Sequence, residues 1–224
     1  NWLGQTTPAL FAAAAADTWM WTPFIILLAT AAFRGIPDTI VAVAVEQGLL
    51  REGPQGSMWA AHRDRASVVT GWEERGPDWR GFATGGAKVL FRLGPAGGPR
   101  LCVAEAAIDA MSLAALEGLR PDTRYLSTGG GWSPASSEAL LDLAVRADAR
   151  LVAATDNNAQ GESFAARLEA LASDAGCGFV RLRPELEDWN EDLKARRRRK
   201  DGREEERDGC RMPAVRLKGE APPG

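Results

Sequence analysis

Acidic side chains stand at the ends of three separate apolar stretches in the second half of the chain. The acids are Glu105, then Asp156, then Asp188 with Glu191, and the amide of Asn158 lies two residues after Asp156. Carboxylates gathered at one place repel one another unless a cation neutralises them. Mg²⁺ suits such a set because it binds hard oxygen ligands, usually one or two carboxylates together with waters and phosphate oxygens. The residue types therefore predict a site for Mg²⁺, or for Mn²⁺, that would bring phosphate groups to the protein.

The sequence around these acids predicts the elements that must position them. Strands are predicted at residues 100–104, 124–127, 151–155 and 179–182, and helices at 108–119, 133–147 and 162–175. Alternation of this kind is typical of a parallel sheet flanked by helices. Ligands bind beyond the carboxyl ends of the strands in such a sheet, so the acids would share one edge. We therefore predict an α/β fold with a four-stranded parallel sheet.

Residues 34–94 predict a smaller α+β domain that precedes this sheet. A helix is expected at 39–50 with Asp38 as its cap, followed by strands at 57–61, 67–72 and 88–93. Gly94 to Pro99 is the clearest linker, so the sheet domain is placed at 99–193. Residues 194–224 are dense in charge and poor in apolar side chains, which predicts a disordered tail or a frayed helical extension.

Basic residues of the smaller domain are interleaved with aromatic ones. Arg75, Arg80, Lys88 and Arg92 lie among Trp72, Trp79 and Phe82. Such a combination can follow a phosphate backbone and stack on bases. The alternative is scattered surface charge over a core that contains tryptophan.

Gly129 and Gly130 belong to a run of three glycines after the second predicted strand of the sheet. The run can form a phosphate cradle or only a tight turn, and no GxxxxGK[ST] motif favours the cradle. Both readings stay open.

The composition narrows the classes of function. The net charge is −3, so the charge of the whole chain does not indicate a nucleic-acid-binding protein, although eleven basic against six acidic residues follow from Lys194 onward. Three scattered cysteines and one histidine cannot supply the four closely spaced ligands of a structural zinc site. No disulfide framework is indicated either, and a reducing, cytoplasmic setting fits best.

The apolar leader at residues 1–33 raises the question of a membrane segment. Its uncharged part, residues 18–33, contains Pro23 and is shorter than the roughly 20 residues that cross a bilayer. No Lys or Arg precedes it, so the basic start of a signal peptide is missing. A buried helix is favoured over a membrane helix, and a non-native or unstructured leader is the third reading.

Four segments resemble motifs of the TOPRIM (topoisomerase–primase) family. Residues 102–110 resemble its first motif, a hydrophobic strand that ends in Glu before a helix, and residues 154–161 resemble its Asp-x-Asp motif. Residues 188–193 are similar to the closing acidic motif of the TOPRIM-like branch in plasmid primases and mobilisation proteins, and residues 128–130 match a glycine turn. The resemblance covers about 95 residues. Residues 34–93 resemble, more loosely, the small domain of unknown function that often precedes this branch.

The resemblance implies roles for individual residues. Glu105 would carry out general acid/base catalysis, and Asp156 would be the principal Mg²⁺ ligand. Asn158 stands where the family has its second acid, which removes a charge and should lower metal affinity. Asp188 or Glu191 would supply that charge. The competing readings are a helix-start acid for Glu105 and turn or cap residues for the others.

The resemblance also implies a function. It suggests Mg²⁺-dependent, primase-like nucleotidyl transfer or phosphodiester chemistry on DNA, in plasmid replication or mobilisation. Single-stranded DNA and a helicase, relaxase or other replication protein would be the partners, and no membrane partner is expected. A topoisomerase acting alone is disfavoured because the only tyrosine, Tyr125, lies within the predicted sheet. The alternatives are a degenerate module that binds DNA or a partner without turnover, which Asn158 favours, and an unrelated nucleotide-binding domain.

Overall fold

The computed structural model describes residues 35–76 and 79–209, with side chains up to residue 202. The helices are α1 (Asp38–Glu46), α2 (Ala107–Glu117), α3 (Pro134–Ala144), α4 (Ala159–Ala175) and α5 (Trp189–Gly209). The strands are β1 (Leu50–Glu52), β2 (Met58–Arg63), β3 (Val69–Arg75), β4 (Arg80–Phe82), β5 (Phe91–Leu93), β6 (Arg100–Ala104), β7 (Thr123–Ser127), β8 (Arg150–Ala153) and β9 (Gly178–Arg181). The predictions for residues 1–33 and 210–224 lie outside the described residues.

The strands form two sheets. The first is antiparallel, in the order β1-β2-β3-β4, and the second has the order β5-β7-β6-β8-β9. Strands β7, β6, β8 and β9 of the second sheet run parallel, whereas β5 pairs antiparallel with β7. The mixed α/β character is confirmed. The sheet is mixed and five-stranded, however, and not the four-stranded parallel sheet that was predicted.

The additional strand comes from a segment assigned by its sequence to the smaller domain. Phe91 pairs with Ser127 and Leu93 with Tyr125, and both Phe91 and Leu93 are completely buried. Burial against the second sheet removes more apolar surface from water than an exposed edge of the first sheet would. Strand pairing over this distance along the chain cannot be read from a local pattern.

Both faces of the second sheet are covered, so its side chains alternate between two cores. Cys102 and Ala104 face one core, which also contains residues of α1, α2 and the beginning of α5. Leu101 and Val103 face the other, which lies beneath α3 and α4. Strand β6 is therefore buried on both sides, and its carboxyl end is fixed in position.

The strand order places a crevice at the end of β6. From β6 the chain crosses through α2 to β7 on one side, and later through α3 to β8 on the other side. Connections that diverge in this way leave a gap between them at the carboxyl ends of the strands, where α/β proteins bind ligands. Glu105 and Asp156 follow the two strands that border this gap.

Several local predictions need correction. Helix α1 has Pro37 at its N-cap with no side-chain hydrogen bond, so Asp38 lies in the first turn instead of capping it. Strand β4 was not predicted. Helix α5 continues to Gly209. Of the two predictions made for the charged segment from Lys194, a disordered tail or a helical extension, the helix is therefore the one found up to residue 209. Within the described residues, no helix is both long enough and apolar enough to cross a membrane.

Candidate active site

A cleft of about 680 Å³ opens between the carboxyl ends of β6 and β8 and the edge of the first sheet. Ten residues singled out in the sequence line it, namely Glu105, Asp156, Asn158, Asp188, Glu191, Arg75, Arg80, Lys88, Gly129 and Gly130. Arg92, which the sequence grouped with the basic residues, does not line it. The acids come from the second sheet and its helices, and the basic side chains come from the first sheet and the segment that follows it. The roles predicted for these residues remain predictions, but their proximity is a property of the fold.

Glu105 lies at the base of the cleft and is only 5% exposed. Its Oε2 accepts a hydrogen bond from Nε2 of Gln160 at 2.8 Å, and its Oε1 accepts a longer one, 3.4 Å, from the backbone N–H of Asp156. The Glu105 carbonyl accepts from the N–H of Gly130 at 2.7 Å. The carboxylate of Glu105 is therefore held by the segment that follows β8, and its backbone is held by the turn that follows β7.

Asp156 carries the clearest electrostatic perturbation in the cleft. Burial, reinforced by the negative charges of Glu105, Asp188 and Glu187, raises the pKa of Asp156 to about 7, although Arg181 acts in the opposite direction. Its Oδ1 is buried and accepts no hydrogen bond from any described residue. A buried acceptor without a donor is costly. The position therefore favours a cation.

The Asp156 loop is positioned by Arg181, which the sequence did not identify. Nη1 of Arg181 donates to the carbonyls of Ala153 (2.9 Å) and Thr155 (3.0 Å), and its Nη2 donates to the carbonyl of Asp156 (3.0 Å). Gly161 packs against the same carbonyl so closely that a methyl group there would overlap it. A residue without a side chain is thus required at Gly161, three positions after Asn158.

Three of the four predicted metal-binding residues also cap a helix or form an ion pair within one. Oδ1 of Asn158 accepts from the N–H of Gly161 at 2.9 Å and caps α4, and Oδ1 of Asp188 accepts from the N–H of Glu191 at 2.8 Å at the start of α5. Oε1 of Glu191 pairs with Nζ of Lys194 at 2.9 Å. The amide oxygen of Asn158 is therefore already used in a hydrogen bond. Asp188 has one carboxylate oxygen in such a bond, and only its other oxygen is left for a metal ion.

Asp109 is a further acid of the cleft to which the sequence assigned no role. It lies in the first turn of α2, is buried, and its Oδ1 accepts from the N–H of Asn190 at 3.3 Å. Burial, followed by the charges of Asp188 and Asp156, raises the pKa of Asp109 well above its ordinary value. In the sequence, only its position four residues after Glu105 could have indicated that Asp109 lies in the cleft.

Glu73 connects the first sheet to the helix that follows Glu105. Both of its carboxylate oxygens accept from the N–H of Ala107, at 3.2 and 3.0 Å, so that Glu73 caps the beginning of α2. The charge is favourable there because the N-terminus of a helix is the positive end of its dipole. Nε2 of the buried His62 lies 3.5 Å from Oε2 of Glu73.

Basic side chains of the first sheet and of the segment that follows it also line the cleft. Arg75 and Arg80 lie directly opposite each other on β3 and β4, which is unfavourable for two like charges. Nη2 of Arg75 lies 4.0 Å from Oε1 of Glu73, which offsets part of this repulsion. Nζ of Lys88 donates to the carbonyl of Gly129 at 2.8 Å. Lys88 therefore ties the glycine turn to the segment between β4 and β5.

The geometry of the glycine turn agrees with a tight turn and not with a phosphate cradle. Gly129 and Gly130 have φ angles of +69° and +67°, a region that other residues rarely adopt. Gly129 also packs against the His62 ring, and the N–H of Gly130 is already bonded to Glu105. The Gly130 N–H is therefore not available to a phosphate.

A divalent cation fits the cleft only if it brings further ligands with it. Among the described residues, no group of three or more His, Cys, Asp or Glu side chains is close enough to hold a metal ion by itself. Asp156 nevertheless offers an unpartnered carboxylate oxygen amid uncompensated negative charge. This donor set suits Mg²⁺, which keeps several waters and often completes its shell with substrate phosphates.

Two family models match the chain. Residues 32–99 match "Protein of unknown function (DUF3991)", and residues 102–193 match "Toprim-like". No curated protein matches the sequence significantly.

Solved structures of primases show a distant likeness. The primase fragment of the bacteriophage T7 primase-helicase protein has 17% identity and a TM-score of 0.46, over 72% of this chain and 67% of that chain. The Aquifex aeolicus primase (zinc binding and RNA polymerase domains) has 16% identity and a TM-score of 0.45, over 75% of this chain and 45% of that one. Both TM-scores are below 0.5, so this likeness carries no weight for function.

Proposed function

We infer that this chain, which carries a Toprim-like domain behind a DUF3991 domain, is a Mg²⁺-dependent phosphotransfer module that acts on nucleic acid in the manner of a primase. The observation that supports the proposal most is the cleft itself, where Glu105, Asp156 and Asp188 face Arg75 and Arg80. Acids can hold a cation on one wall while arginines hold phosphates on the other. Nucleotidyl transfer needs both.

Asp156 would be the principal residue to hold Mg²⁺, with the unengaged oxygen of Asp188 beside it. The ion would neutralise charge on the phosphates and help to orient them. Asn158 is a poorer candidate because its amide oxygen caps α4. Glu191 is also less suited, since its carboxylate pairs with Lys194.

Glu105 would accept the proton of the attacking hydroxyl group. Its Oε2 is bonded to Gln160 at 2.8 Å, whereas the bond at Oε1 is long, at 3.4 Å. Oε1 is therefore the oxygen that can exchange its partner for a substrate proton. A positioned base of this kind contributes about 10²- to 10⁴-fold to a rate.

Arg75 and Arg80 would bind the phosphate backbone, and Lys88 would act mainly by holding the glycine turn. Binding of a phosphate between the two arginines would relieve their mutual repulsion. Arg80 is exposed, so we expect its contribution to depend strongly on salt.

The wider assignment follows the family resemblance. We propose that the nucleic acid is single-stranded DNA. We also propose that the protein acts in plasmid replication or mobilisation in the cytoplasm, and that a helicase or relaxase is its protein partner. We also propose a small domain at 34–94, a TOPRIM-like domain at 99–193 and a charged tail from 194, with β5 at the end of the first segment completing the sheet of the second.

Two substitutions test catalysis, in a Mg²⁺-dependent primer-synthesis or DNA-cleavage assay with Mg²⁺ binding measured in parallel by calorimetry. Glu105→Gln should reduce the rate by at least about 10²-fold and leave Mg²⁺ binding intact, because only the base is lost. Asp156→Ala should abolish both. Glu169→Gln, on the exposed side of α4, is the matched control and should change neither. Full activity in both cleft variants would refute the proposal.

Salt dependence tests the nucleic-acid contact. Arg80→Ala should weaken binding of a single-stranded oligonucleotide and lower the slope of log K against log salt by about one. Arg120→Ala, which removes an exposed arginine paired with Asp122, is the control and should leave the slope unchanged. An unaltered slope for Arg80→Ala would remove Arg80 from the interface.

A binding module without turnover is the second candidate, and Asn158 favours it. The residue at the family's second acidic position serves as a helix cap, and no complete metal site exists among the described side chains. Asn158→Asp distinguishes the two candidates, because Asp caps helices as well as Asn does. Divalent-dependent activity that appears or rises in this variant indicates a catalytic fold. Unchanged DNA binding without activity supports the module.

A further inference from the structure

Three arginines meet on the second sheet, away from the cleft. In β5 and β7, Phe91, Leu93 and Tyr125 face one core, so the alternating residues Arg92 and Arg124 project from the opposite face. The third arginine is Arg146, which follows α3, the helix that covers this face.

Hydrogen bonds show how close these side chains are. Nη1 of Arg124 and Nη1 of Arg146 both donate to the carbonyl of Ala96, at 3.3 and 3.1 Å, and Nη2 of Arg146 donates to the carbonyl of Gly98 at 2.6 Å. Burial, reinforced by the charges of Arg92 and Arg146, lowers the pKa of Arg124 to about 10. The three guanidinium groups therefore form one cluster of like charge.

Arg92 is the most buried member. It is only 8% exposed, and its buried Nε, like the Nε atoms of Arg124 and Arg146, has no hydrogen-bond partner among the described residues. Asp64 and Asp142 are near enough to act on its charge. Oδ1 of Asp64, however, accepts the N–H of Val68 at 2.9 Å, and Asp142 is paired with Arg65.

Such a cluster is unfavourable in the absence of an anion. A buried cation without an acceptor is costly, and neighbouring like charges raise that cost. A phosphate removes both penalties because its oxygens match the fork of N–H donors on a guanidinium. The backbone carbonyls of Ala96 and Gly98 accept hydrogen bonds from Nη atoms of Arg124 and Arg146, but the buried Nε atoms of all three arginines have no acceptor among the described residues.

We propose that Arg92, Arg124 and Arg146 form a phosphate-binding site distinct from the catalytic cleft. None of the three lines the cleft. Arg124 lies near the amino end of β7, whereas the cleft opens at the carboxyl ends of the parallel strands. The ligand is a phosphate group, either of a nucleic-acid backbone or of a free nucleotide or pyrophosphate.

Binding of pyrophosphate, measured by calorimetry at constant ionic strength, tests the site. The parent protein for this experiment carries Arg75→Ala and Arg80→Ala, so that the two arginines proposed to bind phosphate in the cleft are absent. Arg92→Met keeps the apolar stem and removes the charge, and it should weaken pyrophosphate binding at least tenfold. It should also raise the melting temperature without ligand, because an unpartnered buried charge is removed. Arg120→Met, at an exposed site, is the control and should bind as the parent does.

The remaining outcomes are equally informative. If Arg92→Met does not fold, Arg124→Met provides the same comparison at a less buried position. Competition experiments identify the source of the phosphate. If the site binds the nucleic-acid backbone, a single-stranded oligonucleotide displaces pyrophosphate. If it binds a free nucleotide, ATP displaces pyrophosphate and the oligonucleotide does not. Equal affinities in parent and variant, or no binding by the parent at millimolar pyrophosphate, would overturn the proposal.

Discussion

Replacement of Asp156 by Asn should stabilise the metal-free protein at high pH. The substitution preserves the shape of the side chain and removes the charge that Glu105, Asp188 and Glu187 oppose. The new amide group can donate hydrogen bonds to the neighbouring carboxylates. Asp156→Asn therefore relieves repulsion without opening a cavity.

The magnitude follows from the pKa of Asp156. A rise from 3.8 to about 7 corresponds to roughly 4 kcal/mol at about 1.4 kcal/mol for each pH unit. Asp156 is partly exposed, so screening reduces the expected value to roughly 2 kcal/mol. Because the pKa is raised on folding, the stability is present below pH 4 and is lost as the pH rises to about 7. The variant should thus match the parent near pH 4 and exceed its unfolding free energy by roughly 2 kcal/mol at pH 8.

Urea denaturation followed by tryptophan fluorescence, with EDTA present, measures this difference across the pH range. Addition of Mg²⁺ at pH 8 should reverse the order, since the parent gains stability from the bound ion and the variant does not. Asp174→Asn, on the exposed surface of α4, is the matched control and should show neither effect. A difference between Asp156→Asn and parent that is independent of pH would refute the electrostatic reasoning.

Two further substitutions test the packing around the cleft. Gly161→Ala should lower the free energy of unfolding by roughly 2–4 kcal/mol and weaken Mg²⁺ binding, because its methyl group overlaps the Asp156 carbonyl; Gly202→Ala, where the added methyl group meets open space in α5, should be neutral or slightly stabilising in the same urea titration. Glu73→Gln should cost about 1 kcal/mol by removing a charge from the N-terminus of α2, and a melting temperature equal to that of the parent would show that the contact with Ala107 is not stabilising.

Local features of the sequence predicted the elements that carry Glu105 and Asp156. Each acid follows a short apolar strand and precedes a helix, and this order alone fixes the edge of the sheet at which both side chains appear. The capping role of Asn158 was also readable, because Asn is among the preferred N-cap residues and α4 begins directly after it.

Contacts between distant segments could not be predicted in this way. Nothing in the sequence around Arg181 distinguishes it from a surface arginine. In the folded protein β9 lies beside β8, and the Arg181 guanidinium donates to three backbone carbonyls at and just after the end of β8. Glu73 stands 34 positions before the helix that it caps. No periodicity or motif connects such pairs, since the folded backbone alone brings them together.

Strand β5 has a practical consequence for attempts to isolate the two halves of the protein. A cut within the glycine-rich loop at 94–99 would leave Phe91 and Leu93 on the first fragment and deprive β7 of its antiparallel neighbour. The second fragment would then present an unpaired, apolar sheet edge, which is prone to self-association. Fragments intended for separate expression should therefore begin before Val89, so that this strand stays with the sheet it completes.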